Sequence, residues 1–141
     1  MGKHDAFEEL KRQAIEENER AHGREARERY GDDAVDAANE RLASLSQDEW
    51  DEKDWLEQAI KELLRTAMAA GDPEGEPARE LARMHARWIA LHWGEGRYSR
   101  EAHRGLAQMY LADDRFRAYY DTAAGEGATG FLVAALEAYL A

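Results

Sequence analysis

Apolar residues recur with the period of an α-helix through the middle of the chain. Between residues 48 and 70 they fall three or four positions apart, at Leu56, Ile60, Leu63, Leu64 and Ala67. This spacing predicts a helix with one face against a core. Just before it, Ser46 and Glu49 form the pattern of a capping box, in which each side chain accepts from the other residue's backbone N–H.

Two later stretches predict further core helices. The first follows the turn at residues 71–77, which holds both prolines. Its apolar face carries Leu81, Met84, His85, Trp88, Ile89 and His92. The second, at residues 128–140, is apolar around most of its circumference, which favours a central place in a helical bundle. No stretch alternates apolar and polar residues with a period of two, so the pattern predicts an all-α fold.

Between these two helices the sequence is rich in rings and in turn signals. Gly94 and Gly96 end one helix, and Ser99 is a good N-cap for the next one. Asp113 and Asp114 end that helix and offer a cap for a third, shorter one. Three short, ring-rich segments joined by tight turns can wall a concave site.

The amino-terminal third has a different pattern. Helix-favouring residues run from about 5 to 30 and again from 33 to 45, but large apolar side chains are scarce, above all from 16 to 29. Ordering a residue costs about 1–2 kcal/mol of backbone entropy, whereas burial contributes only about 25 cal/mol per Å² of apolar surface. Within a single domain of residues 1–141, we therefore expect residues 1–45 to form a loosely docked, mobile helical hairpin and residues 46–141 to form the helical core. A permanently docked hairpin is the alternative.

Rings, glycine and caps follow one another at a characteristic spacing between Tyr98 and Asp121. The run opens with Tyr-Ser, continues with His103 before Gly-Leu-Ala and with a Met-Tyr pair, and ends in Asp-Arg-Phe and Tyr-Tyr-Asp. It resembles the TipAS antibiotic-recognition domain, the effector-binding part of MerR-type regulators that sense thiopeptides. Weaker similarity upstream includes Tyr30-Gly31-Asp32 and Ser46 with Trp50. The resemblance implies a compact, globin-like helical domain with a ligand cleft, over which the amino-terminal part folds as a lid. Here we expect that domain to stand alone, without the DNA-binding part.

Composition narrows the classes of partner. A net charge of −11 over 141 residues disfavours direct contact with nucleic acid or with an anionic membrane surface, since both require clustered Lys and Arg. No apolar run approaches the roughly 20 residues of a membrane span, and the amino terminus lacks the apolar core of a signal peptide. We expect a cytoplasmic monomer. The absence of cysteine excludes capture of a ligand through a thiol, which the resemblance implies for some family members, so binding should be reversible.

The candidate catalytic and metal-binding groups have structural explanations. His85 and His92 share a helical face that His103 could approach, but we expect each imidazole to bond a backbone carbonyl or a Tyr hydroxyl rather than a metal. Helix capping accounts for Asp113 and Asp121. The sequence shows no Ser-His-Asp signature, phosphate loop or dinucleotide fingerprint. We therefore expect neither an enzyme nor a cofactor.

The aromatic set favours a binding site. Rings with a polar tip at segment ends often line a pocket, although core packing also explains an aromatic stripe on a helix. We expect Trp93 and Tyr98 to be pocket rings and Trp88 to be a core ring. The candidate ligand-binding residues are His85, Trp88, His92, Trp93, Tyr98, His103, Met109, Tyr110, Phe116, Tyr119 and Tyr120. The candidate lid residues are Phe7, Leu10, Ile15 and Tyr30.

Together these features predict a module that binds and sequesters a bulky, largely apolar small molecule in an aromatic cleft. A thiopeptide or another peptide antibiotic is the expected class of ligand. The alternative is a protein–protein interaction or regulatory domain, related to transcriptional activators, that has lost ligand binding.

Overall fold

A computed structural model of the protein describes residues 2–94 and 96–141, apart from the side chain of Lys3. Every regular element in these residues is helical, which confirms the all-α prediction. The elements are α1 (Lys3–Asn18), a π-helical turn (Glu19–Gly23), α2 (Arg24–Tyr30), α3 (Asp32–Ser44), α4 (Gln47–Ala70), α5 (Glu76–Trp93), α6 (Arg100–Ala112), α7 (Asp114–Ala124) and α8 (Ala128–Leu140).

The chain divides into two compact units, the first ending at Glu52 and the second beginning at Lys53. The division falls inside α4, later than the border predicted at residue 45. Each unit has its own hydrophobic cluster.

The helix caps follow the local sequence signals. The capping box before α4 is confirmed, because the Ser46 hydroxyl accepts from the Glu49 N–H at 3.1 Å and the Glu49 carboxylate accepts from the Ser46 N–H at 2.9 Å. Ser99 caps α6 at 3.0 Å, and the Asp113 carboxylate accepts a backbone N–H of α7 at 2.9 Å. Each of these bonds satisfies an N–H that the first turn of a helix leaves without an intrahelical partner.

The second unit is built around α8. Helices α5, α6 and α7 all pack on it, and its Leu132, Val133, Leu136 and Leu140 are buried. The apolar stripe of α4 joins the same cluster through Leu56, Ile60, Leu64 and Ala67. The central position predicted for the last helix is therefore confirmed.

The start of α8 is held by a side chain from the preceding helix. Asp121 of α7 accepts from both the backbone N–H and the hydroxyl of Thr129, each at 2.9 Å. These bonds stabilise the carboxylate and lower the pKa of Asp121. The carboxylate thus has the structural role expected for it, and it fixes the end of α7 against the start of α8.

The first unit has a much smaller core. Its buried apolar residues are Phe7, Leu45 and Trp50, with the Phe7 and Trp50 rings edge to face at 6.3 Å. Neither α2 nor α3 contains a buried residue. The scarcity of apolar anchors seen in the sequence is therefore also a property of the folded unit.

Two cationic side chains make hydrogen bonds that add to the few apolar contacts of the first unit. Lys11 is buried, and its ammonium donates to the carbonyls of Ala43 and Leu45 at 2.7 and 2.8 Å, at the carboxyl end of α3. A cation is favoured there, because the last carbonyls of a helix lack partners and carry partial negative charge. Arg27 bonds Glu19 in the π-helical turn and Asp32 and Asp36 in α3.

The buried leucines of the second unit should dominate stability. Leu136 is fully buried, so we expect Leu136→Ala to lower the free energy of unfolding by about 2–5 kcal/mol, since the cavity is lined by a packed core. Leu10→Ala is the matched control, because Leu10 is 52% exposed. Chemical denaturation followed by circular dichroism measures both. Losses of equal size in the two variants would contradict this account of the core.

Candidate ligand-binding site

A shallow cleft opens between α4, α5 and α7 of the second unit. It is lined by Glu57, Ile60, Lys61, Trp88, Tyr119 and Tyr120. Its cavity volume is about 10 Å³, roughly the space of one water molecule, whereas pockets that enclose a drug-sized ligand measure roughly 300–1,000 Å³. In this conformation a ligand would lie against the cleft, with most of its volume outside it.

The rings of the cleft are held by contacts with each other and with charged neighbours. The Trp88 indole N–H donates to Glu57 at 3.4 Å. Tyr119 is 44% exposed and stands edge to face with Tyr120 at 5.0 Å. The Lys61 ammonium lies 4.9 Å from the centre of the Tyr119 ring, within cation–π range. The lining therefore combines apolar ring faces with one carboxylate and one ammonium.

Behind the cleft lies a chain of buried polar rings. His85 Nδ1 is 2.8 Å from His103 Nε2, and His85 Nε2 is 3.1 Å from the Tyr110 hydroxyl. The Tyr120 hydroxyl lies 3.4 Å from both His85 Nε2 and the Tyr110 hydroxyl. At the other end, the Tyr98 hydroxyl is 2.9 Å from His103 Nδ1. Five side chains from the α5–α7 region thus form one hydrogen-bonded chain.

Burial keeps this chain uncharged at neutral pH. Desolvation lowers the pKa of His103 to about 4 and that of His85 well below its ordinary value. It raises the pKa of Tyr98, Tyr110 and Tyr120. Because burial penalises whichever form carries charge, imidazoles and phenols are both held neutral. The hydrogen-bonded histidines and tyrosines can donate and accept hydrogen bonds, but they present no charge to a ligand.

The ring-rich stretch lies within a match to a known protein family. The model of the TipAS antibiotic-recognition domain matches residues 22–139. The chain belongs to this family. The chain is also similar to the HTH-type transcriptional activator TipA of Streptomyces coelicolor and to that of Streptomyces lividans. Each is 35% identical over 105 residues, which cover 70% of this chain and 39% of the relative. No solved structure matches the chain.

This TipAS domain thus spans well under half the length of the curated relatives that it matches. Both relatives are named as transcriptional activators. None of the described helices is long and apolar enough to cross a membrane.

Three of the eleven predicted site residues line the cleft: Trp88, Tyr119 and Tyr120. Four others, His85, Tyr98, His103 and Tyr110, form the buried chain with Tyr120. Trp88, the predicted core ring, packs against the hydrophobic cluster of the second unit and also lines the cleft. Trp93, a predicted pocket ring, packs beside Tyr98 at 6.0 Å.

The remaining predicted residues support these two groups. Phe116 packs on Tyr110 at 4.7 Å. His92 lies 4.4 Å from the Trp88 ring, and its Nδ1 is 2.9 Å from the Trp88 carbonyl. Met109 is half-buried on α6. The bonds of the three histidines to a carbonyl or a Tyr hydroxyl confirm the interpretation made from the sequence. Among the described residues, no group of three His, Asp or Glu is arranged to hold a metal ion.

Three cleft residues were absent from the predicted site: Glu57, Ile60 and Lys61, all from α4. Ile60 was assigned to the core stripe of α4. Glu57 and Lys61 lie on either side of it at a spacing of four, which looks like an ordinary surface pair on a helix. The signal that distinguishes them is their position beside Trp88 and Tyr119, which only the fold supplies.

The predicted lid residues all belong to the first unit. Phe7 is buried there beside Trp50, Ile15 is half-buried, and Leu10 and Tyr30 are exposed. The closing of these residues over a ligand stays a prediction.

The buried histidines should make the domain sensitive to acid. An unfolded His titrates near pH 6.5, whereas His103 in the folded protein titrates near pH 4. Between these values the unfolded state binds more protons, so stability is complete above about pH 6.5 and is lost as the pH falls toward 4. We expect His103→Gln to be less stable than the wild type at pH 7. Its stability should also fall less steeply below pH 6.5, by up to about 1.4 kcal/mol per pH unit.

Urea denaturation at a series of pH values measures these slopes. His22→Gln serves as the control for removal of an imidazole, since His22 is exposed. An identical slope in wild type and His103→Gln would show that His103 is not held neutral by burial.

Proposed function

We propose that this TipAS domain binds and sequesters a bulky, largely apolar antibiotic, with a ring or short segment of the ligand seated in the cleft between α4, α5 and α7. A thiopeptide or another peptide antibiotic is the class that fits best. The single observation that carries the proposal is the cleft itself, where Trp88 and Tyr119 stand over a buried Tyr120. Membership of a family named for antibiotic recognition supports it.

The lining is suited to flat, weakly polar groups. Ring faces provide apolar area with little loss of side-chain freedom on binding. Glu57 and Lys61 at the edge can orient amide groups of a peptide, the carboxylate by accepting and the ammonium by donating. A small number of polar groups around an apolar lining is the usual composition of a small-molecule site.

Binding rather than catalysis is the role proposed for this site. The histidines and tyrosines behind the cleft are held neutral by burial, and their hydrogen bonds are made to one another. A general acid or base needs a pKa near the working pH. Because the sequence contains no cysteine, we also propose that the ligand is held without a thioether.

Truncation of Tyr119 tests the cleft with little effect on the fold, because Tyr119 is exposed and is not part of the buried core. We expect Tyr119→Ala to weaken binding of a thiopeptide by about tenfold or more, since aromatic anchors often contribute over 1 kcal/mol to an interface. Isothermal titration calorimetry with a panel of thiopeptides measures the affinity. Mass spectrometry under denaturing conditions should then recover the protein without an adduct.

The matched control is Trp55→Ala. Trp55 is a large ring, 60% exposed, on the same helix as Glu57 but outside the lining of the cleft. Its removal should leave the affinity unchanged. A loss of affinity in Trp55→Ala but not in Tyr119→Ala would place the ligand elsewhere.

A second candidate function is an interaction domain, and the exposure of Trp55 favours it. Exposed tryptophans are enriched in protein interfaces. If no thiopeptide binds the wild type, recovery of a protein partner that Trp55→Ala fails to recover would support this alternative.

A further inference from the structure

In the hydrogen-bonded chain of side chains behind the cleft, each group donates to the next, so donation runs in one direction. A neutral imidazole carries one N–H and one lone pair. Suppose that one of the two histidines, His85 and His103, carried its proton on Nδ1 and the other on Nε2. Either two N–H groups or two lone pairs would then face each other across the 2.8 Å that separate His85 Nδ1 from His103 Nε2. Both histidines must therefore be protonated on Nδ1, or both on Nε2. The hydrogen bonds of these side chains therefore have two possible arrangements, and each arrangement involves every member of the hydrogen-bonded chain.

The two arrangements differ in where a hydroxyl is left over. With both protons on Nδ1, Tyr120 donates to Tyr110, Tyr110 to His85, His85 to His103, and His103 to Tyr98. The spare O–H is then that of Tyr98. With both protons on Nε2, every bond reverses, and the spare O–H is that of Tyr120, provided that Tyr110 donates to it.

The ends of the chain meet different surroundings. Tyr98 is half-buried, whereas Tyr120 is only 3% exposed and lines the cleft. A buried hydroxyl without an acceptor costs about 1–3 kcal/mol. Since solvent can accept from Tyr98 more readily than from Tyr120, the arrangement with both protons on Nδ1 is favoured when the cleft holds no ligand.

We infer that Tyr120 selects ligands with a hydrogen-bond acceptor, and that such an acceptor reverses the chain and moves the protons of His85 and His103 from Nδ1 to Nε2. The acceptor is a ring nitrogen or a carbonyl oxygen on a flat group that lies against the cleft. The event is then transmitted to the Tyr98 hydroxyl, which changes from acceptor to donor. This inference rests on the proposed binding function, and it adds that the ligand presents a hydrogen-bond acceptor to Tyr120.

Glu57 lies on the same side of the chain and must be considered. Burial is the main cause of the raised pKa of Tyr120, and the negative charge of Glu57 makes the smallest contribution to it. Its carboxylate lies 3.6 Å from the Lys53 ammonium and accepts from Trp88, so its charge is partly compensated. An uncharged acceptor in direct contact with Tyr120 can therefore set the direction.

Nitrogen-15 NMR of histidine-labelled protein at pH 7.5 reads the two tautomers directly. The probes are pyridine and benzene, which are rings of equal size with and without an acceptor. In the wild type alone, we expect both His85 and His103 to carry the proton on Nδ1. Pyridine should convert both to Nε2, and benzene should leave both unchanged, while each ring shifts the resonances of Trp88 and Tyr119.

Tyr120→Phe removes the hydroxyl that would meet the acceptor. In this variant neither ring should change the tautomers, and the ratio of pyridine to benzene affinity should fall by about twofold to tenfold, the equivalent of one net hydrogen bond. Glu57→Gln should keep the Nδ1 tautomers in the absence of a ring. The wild-type spectra decide the question even if a variant fails to fold.

Any of four results would overturn the inference. They are protons on Nε2 in the protein alone, different tautomers in the two histidines, bound pyridine without a tautomer change, and no response of Trp88 or Tyr119 to pyridine up to the solubility limit of benzene. Calorimetry with thiopeptides judges the proposed function separately. Binding of a thiopeptide with fixed tautomers would refute the chain reversal and leave the binding function intact.

Discussion

The 2.8 Å hydrogen bond between His85 and His103 is the contact on which the candidate site depends. Both imidazoles are fully buried, so each would leave a polar group without a partner if the other moved away. Through Tyr110 and Tyr120 the same chain reaches from α5 across α6 to α7. Trp88 lies one turn after His85, so the position of the cleft wall follows from the register that these bonds impose.

Local signals were enough to predict most of the helices. Ser46, Ser99 and Asp113 cap helices through bonds that reach two or three residues along the chain, so their sequence neighbours already determine them. The apolar surface of α8 likewise requires burial wherever the helix lies. In contrast, the approach of Lys61 to Tyr119 joins residues far apart in sequence. Such a contact depends on how helices cross, which periodicity does not describe.

In the first unit, too, the sequence predicted the local pattern but not the contacts between residues far apart in the chain. Its sequence correctly indicated few apolar anchors, and the folded unit buries few. The role of Lys11 could not be read from the sequence, because an exposed position is the usual one for lysine, and its partners are 32 and 34 residues away at the end of α3. Because the Lys11 ammonium is buried against the carbonyls at the end of α3, hydrogen bonds as well as apolar contacts hold α1 to α3. The stability of the first unit therefore depends less on buried apolar area than its composition suggests.

The central claim is that a ligand meets the rings of the cleft in front of the buried polar chain. Intermolecular nuclear Overhauser effects between a bound thiopeptide and the protein's aromatic protons test it most directly. The account predicts contacts from the ligand to Trp88 and Tyr119, and none to Trp55, which lies outside the cleft lining. Contacts to Trp55 alone, with Trp88 and Tyr119 unaffected by saturating ligand, would contradict it.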